Sequence, residues 1–286
     1  MTIHFKHIAI IGVGLMGSSF ALALKKKGFK GRITGIGRNK KNLIKAKRLG
    51  IIDNYSTSHA EGIKDADLIL LAVPVGQFEA IVGNIRGGIK KGAIVTDVGS
   101  VKALIVKKIE PLMPEGVHFV GAHPIAGKEC SGISCASADL YRNARCIITP
   151  GPNTNKNALK TIIALWKAVG SKTLLMKPEA HDMIYASVSH MPHVAAYALV
   201  NGIMKADGKI LPYGGRGLRD MTRIALSPPG LWRDICACNK KNILKSLKKF
   251  SSSISHVTGL IERSDWDGLE KEFIRAQEAR KLLGSD

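Results

Sequence analysis

The chain has 286 residues, 45% of them apolar, with 30 Gly and 11 Pro spread along its length and a formal net charge of +21. This length suits two domains of about 150 residues each, and the composition excludes a disordered or collagen-like chain. The charge invites a polyanionic partner. However, the lysines form short clusters such as Lys107-Lys108 and Lys240-Lys241, without an aromatic-interleaved patch, so a solvated surface is expected and no nucleic acid.

Met1 to Lys6 lead straight into an apolar strand, His7 to Ile11, leaving no room for a secretion signal; the expected location is the cytoplasm. The strand runs into Gly12-Val13-Gly14-Leu15-Met16-Gly17 and then a helical stretch to Leu24. This is a G-x-G-x-x-G turn in the strand-turn-helix setting that gives the motif meaning. Its glycines permit a tight turn, close approach of a pyrophosphate and close helix packing, while helix-start amides meet the phosphates. A second strand is expected over Arg32 to Gly37, ending at Arg38-Asn39 where an acid usually holds the ribose hydroxyls of NAD. Arg38 there favours the 2′-phosphate of NADP, so the cofactor expected is NADP ahead of NAD.

Further strands are predicted over Ala66 to Val73, ending at Pro74, then Ala93 to Val98, Val117 to Ala122, Cys146 to Thr149 and Thr173 to Leu175. Helices are predicted between them, as over Phe78 to Ile85, Val101 to Met113 and around Leu159 to Trp166. The alternation implies βαβ units in a parallel sheet, an N-terminal Rossmann-type α/β domain over residues 1–175. Beyond Lys177-Pro178 strand signals nearly vanish, and residues 176–286 are expected to form an all-helical domain. Ile243, Leu247, Phe250, Ile254, Val257 and Ile261 line one seam of a long helix, more than a small bundle needs, which suggests a homodimer. No apolar run reaches the roughly 20 residues of a membrane span. The five cysteines fit neither a zinc site nor a disulfide framework and are expected as free thiols, and no metal site is expected.

His123-Pro124-Ile125-Ala126-Gly127 follows a strand, so His123 falls on the carboxyl edge where such sheets bind ligands. Ser100, after the strand ending near Asp97-Val98, falls on the same edge. In the helical segment His181 to His193, Ser189 and His193 lie within roughly 120° of His181 at about 100° per residue, and Asp182 flanks it. Gly214 to Gly217 is a Gly-rich turn leading into Arg219-Asp220-Met221-Thr222-Arg223.

At these residues the chain resembles the prephenate and arogenate dehydrogenase family of tyrosine biosynthesis. The resemblance covers nearly the whole length: the Gly-rich loop, Asp97 to Lys102, His123 to Gly127 with Glu129 and Gly132, His181-Asp182, Ser189 to His193, Arg219 to Arg223, and Leu231-Trp232-Arg233-Asp234. It implies an NAD(P)-dependent oxidative decarboxylation of a small dicarboxylate: hydride leaves the ring carbon bearing the hydroxyl, carbon dioxide departs and the ring becomes aromatic. His123 then implies the acid/base group, oriented with help from Ser100, and Arg223 the carboxylate partner. By the same resemblance His193 and Ser189 line the substrate pocket, His181, Asp182 and Glu129 form a polar network near its mouth, and Trp232 reaches across a dimer. Gly12, Gly14, Leu15, Met16, Gly17, Arg38, Val73 and Pro74 are the expected cofactor contacts. Lys128 and Arg216 depart from the commonest pattern of the family and add positive charge. Alternatives are an arogenate-specific enzyme, a β-hydroxyacid-type NADP oxidoreductase, which leaves His123 to Gly127 unexplained, and a nucleotide-sensing regulator.

Overall fold

A sheet with strand order β3-β2-β1-β4-β5-β6-β7-β8 organises the first part of the chain in a computed structural model that describes residues 5–128 and 130–283. By contacts the chain divides into two units, Met1–Lys240 and Lys241–Asp286. In the first, β1 (His7–Ile11), α1 (Leu15–Lys26), β2 (Arg32–Ile36), α2 (Lys40–Arg48), β3 (Asn54–Ser56), α3 (His59–Gly62), β4 (Leu68–Leu71) and α4 (Phe78–Ile85) alternate as strand and helix. The alternation continues with β5 (Ile94–Asp97), α5 (Ala103–Ile109), β6 (His118–Pro124), β7 (Arg145–Thr149), α6 (Lys156–Ala168) and β8 (Lys172–Leu175).

β1 to β6 are parallel, as helical crossovers require. The expectation of a wholly parallel sheet fails at β7, which runs antiparallel to β6. Among the described residues of the connection over 125–144 the one helical element is a short 3₁₀ turn, and a return without a crossover helix lays the next strand antiparallel. β3 has no counterpart in the sequence reading, because three polar residues on a half-exposed edge carry no apolar run. Both faces of the sheet are covered, which is why β1 and β4 read as uninterrupted apolar runs. Phe20, Tyr141 and Trp166 pack on one face, and Phe78, Ile81 and Phe119 on the other.

Helices follow from α7 (Pro178–Tyr185), through a π-helical turn at Ala186–His190, into α8 (Met191–Asp207), α9 (Arg216–Thr222) and α10 (Pro229–Cys238). The π turn inserts a residue into the helical period, so angles counted at 100° per residue fail across it. His181, Asp182, Ala186 and His190 form the buried stripe, while Ser189 and His193 are only half-buried. The second unit holds most of α11 (Lys240–Glu262) and α12 (Trp266–Lys281), the latter capped by the Asp265 carboxylate accepting the Gly268 amide at 2.9 Å. Gly284, expected just past this helix, lies outside the described residues.

One cysteine expectation is corrected. Cys130 and Cys135 are joined by a disulfide, while Cys146, Cys236 and Cys238 are free. Gly132, at φ 86°, turns the intervening chain so that the two Cα atoms come to 6.0 Å, a separation that a disulfide spans.

Candidate active site

The strand order reverses at β1, whose neighbours are β2 and β4, so a crevice opens at the carboxyl ends of β1 and β4. Gly12 sits there at φ +104°, and a Cβ on it would collide with the Ala72 carbonyl. A Cβ on Gly17 would collide with the Gly12 carbonyl, so α1 can approach the loop only with glycine. Gly14 caps α1 without a side-chain hydrogen bond, which leaves the first helical amides for an anion. A cleft of about 390 Å³ runs from these glycines over Gly37, Arg38, Asn39, Asn42 and His59 to Val73, Pro74 and Gln77. No carboxylate lines it among the described residues, and Arg38 is exposed at the end of β2. A dinucleotide fits this cradle: bare amides face the pyrophosphate position and a guanidinium stands at the ribose end.

A second cleft of about 540 Å³ continues from Gly14, Val73 and Pro74 to Ser100, His123, Lys128 and Ser131, and is closed by Pro228, Leu231, Arg233 and Asp234. His123 lies within the end of β6 rather than after it. Its position is held from behind. The Asp97 carboxylate accepts the amides of Gly99 at 2.8 Å and Ala122 at 2.9 Å and pairs with the Lys102 ammonium, which also donates to the Ala122 carbonyl at 2.8 Å. Both charged side chains are fully buried, so the pair is tolerated through these further hydrogen bonds.

The His123 Nδ1 meets His181 Nε2 at 2.8 Å, and His181 Nδ1 meets the Asp182 Oδ1 at 2.8 Å. The Asp182 carboxylate also accepts the amides of Lys102 at 2.8 Å and Ala103 at 2.9 Å. Burial, then the nearby cations and histidines His181, Lys102 and His190, push His123 well below the ordinary histidine range. Burial also lowers His181, against the hydrogen bond it donates to Asp182, which raises it. At neutral pH His123 is therefore uncharged and able to accept a proton.

The structure redistributes several expected roles. His181 and Asp182, expected near the pocket mouth, are 0% and 1% exposed and stand behind His123, because the stripe they occupy faces β6 and the start of α5. Ser100 shares the cleft with His123, but no hydrogen bond joins them among the described residues; His181 supplies that bond. His193, its Nδ1 donating to the Ser189 carbonyl at 2.9 Å, stacks on Trp232 of its own chain at 3.7 Å between ring centres. His193, Ser189 and Trp232 are not among the residues lining the cleft with His123, though Leu231 and Arg233 beside Trp232 are. Arg223 is exposed in the 3₁₀ turn Arg223–Leu226 and does not line this cleft either. Glu129 lies outside the described residues.

Sequence reasoning included Arg233 and His190 in its motifs without giving either a role, and passed over Asn239. Arg233 grips the Asp234 Oδ1 at 2.8 and 3.0 Å, and Asp234 packs on Gly76 in the 3₁₀ turn Val75–Gln77, where a Cβ would stand 2.7 Å from Asp234 Oδ2. Asn239 donates to the Asp182 carbonyl at 2.8 Å and reaches His190 Nδ1 at 3.1 Å.

Residues 20–175 match the family described as "Prephenate dehydrogenase, nucleotide-binding domain", and residues 177–275 match "Prephenate dehydrogenase, dimerization domain". A prephenate dehydrogenase of Bacillus subtilis is 35% identical over 96% of this chain and 76% of its own length. A cyclohexadienyl dehydrogenase of Zymomonas mobilis is 35% identical over 99% of this chain and 97% of its own. The crystal structure of an Aquifex aeolicus prephenate dehydrogenase in complex with hydroxyphenyl propionate and NAD+ superposes with a TM-score of 0.93 at 37% identity, covering 99% of this chain and 100% of that one.

Proposed function

This chain belongs to the prephenate dehydrogenase family and is an NAD(P)-dependent oxidoreductase, and we propose that it converts prephenate to 4-hydroxyphenylpyruvate, with NADP preferred to NAD. The observation that carries the reading is one continuous groove in which the glycine loop and His123 share the walls Gly14, Val73 and Pro74. Leu15 and Met16 line the His123 end of it.

When bound, the nicotinamide supplies the acceptor for the hydride released from the ring carbon bearing the hydroxyl. His123 Nε2 takes the hydroxyl proton as that carbon becomes a carbonyl, and returns it to the phenolate oxygen after carbon dioxide has left. The proton is borrowed, not consumed. Lys128 and Arg233 bring positive charge to the cleft, and Asp234 is already engaged by Arg233. That balance suits the two carboxylates of prephenate better than the ammonium-bearing side chain of arogenate. Arg38, with no acid beside it in the cleft, suits the 2′-phosphate of NADP.

Arg223 serves the ring carboxylate in this proposal only if a second copy presents it, since it stands outside its own chain's cleft. A homodimer is the partner proposed, and a cytoplasmic enzyme is the setting proposed. Purified protein is assayed with prephenate and with arogenate, each against NADP and NAD, by the absorbance of reduced nicotinamide. Turnover of prephenate with the higher kcat/KM for NADP is expected. No reduction with either substrate ends the dehydrogenase reading, and a strong NAD preference ends the role given to Arg38.

A further inference from the structure

We infer that His181 and Asp182 are positioning residues for the proton step: they fix His123 in the tautomer whose unprotonated Nε2 opens on the cleft, and they hold the positive charge formed when that nitrogen takes a proton. The inference rests on His123 being the base of the proposed dehydrogenase.

The argument follows the protons. Both oxygens of Asp182 already accept backbone amides, Oδ1 from Lys102 and Oδ2 from Ala103, so this carboxylate has only lone pairs to offer His181. His181 Nδ1 must therefore be the donor in its 2.8 Å bond to Asp182 Oδ1. With its proton on Nδ1, a neutral His181 has a lone pair on Nε2, and the 2.8 Å bond to His123 Nδ1 can form only if His123 donates. That places the His123 proton on Nδ1. The Nε2 lone pair is left without a protein partner among the described residues, on a side chain that lines the cleft while His181 behind it does not.

A charged His181 would reverse this order and leave His123 with a proton, not a lone pair, toward the cleft. Burial works against that state by lowering His181. The rings are also fixed in place. His181 stacks on Tyr185 at 4.5 Å, and His123 meets the Tyr185 ring edge-on at 5.1 Å. When His123 becomes an imidazolium, its Nδ1–H bond to His181 strengthens, and the charge is shared along a line ending at a carboxylate held by two amides. The other titratable groups facing His123 are Tyr185 on α7, His190 in the π turn, Lys102 paired with Asp97 at the end of β5, and Cys146 on β7.

The full-length protein labelled with ¹⁵N at histidine provides the test, read by imidazole nitrogen shifts and by steady-state kinetics across pH. Wild-type His123 is expected to show a protonated Nδ1 and an unprotonated Nε2 at neutral pH; a protonated Nε2 overturns the inference without any variant. His181→Leu removes the acceptor, and should release His123 from that tautomer and lower kcat about a hundredfold with KM nearly unchanged. His181→Gln keeps an acceptor oxygen and should recover at least about a tenth of wild-type kcat. Asp182→Asn removes the anion that steadies the imidazolium, so the acid limb of the kcat profile should move to lower pH as kcat falls. His181→Leu with an unchanged His123 tautomer and wild-type kcat overturns the relay. The base assignment fails separately, through an active His123→Asn.

Discussion

In the proposed reaction a single nitrogen, His123 Nε2, carries the proton step, and its surroundings set the pH at which it would work. Because burial and the neighbouring cations hold His123 well below the usual histidine range, its neutral, proton-accepting form persists into mildly acid solution. Activity should therefore be flat through neutrality and fall only as pH drops through that lowered value, below the ordinary 6.5. Replacing His123 with Asn should lower kcat by roughly a hundredfold or more while KM for prephenate stays close to wild type. Arg233→Gln should do the converse, raising KM by about tenfold and sparing kcat, if its guanidinium binds a substrate carboxylate uniformly through the reaction. Steady-state kinetics of the two proteins separate the roles, and normal turnover by His123→Asn refutes the first.

At the scale of an element, the run from α7 through the π turn into α8 buries six positions, Pro178, His181, Asp182, Ala186, His190 and Ala196, and two of them are histidines. His190 is lowered by burial to about 4, against an ordinary value of 6.5. The sign follows from linkage. Between those two values the unfolded chain binds the proton that the folded chain refuses, so stability is complete above about 6.5 and is lost as pH falls toward about 4. The loss attributable to this side chain is roughly 3 kcal/mol at about 1.4 kcal/mol per unit. Urea unfolding of wild type and His190→Leu at pH 7 and pH 4.5 should show a smaller decline in the variant. Equal declines would remove His190 from the account. This π turn also explains which sequence expectations failed: Ser189 and His193 were placed beside His181 by a period of 3.6, and one inserted residue rotated His190 into the buried stripe instead.

For the whole molecule, the apolar seam expected on the long helix is only partly covered within one chain. Phe250, Ile254 and Ile261 on α11 and Phe273 on α12 remain exposed, as do Met221 and Leu226 beside Arg223. Exposed apolar side chains such as these suit the homodimer proposed here, in line with the match to a dimerization domain. If a second copy brings Arg223 to the cleft, a mixture of inactive His123→Asn and Arg223→Gln chains should regain activity after exchange of subunits. Each mixed dimer then has one site with both groups intact, so randomly mixed chains should reach about a quarter of wild-type activity. Activity no greater than the sum of the separate variants would assign Arg223 to its own chain or to no site.

Much of this protein was legible in local pattern. The Gly-rich turn, the apolar strands and the position of His123 are read from spacing, because a buried strand must be apolar and only glycine fits where Gly12 and Gly17 meet their neighbours. The sequence also carried Ser100 to the same edge as His123, since Ser100 follows β5 and His123 lies at the end of its parallel neighbour β6. What tertiary structure alone decided is which groups meet across long separations. The antiparallel return of β7, the Cys130–Cys135 bond, the alignment of His123 with His181 and Asp182, and the arrival of Arg233 at the cleft all depend on how distant segments pack. Periodicity constrains a side chain relative to its own element, and hydrogen bonds between elements are formed only once those elements have docked.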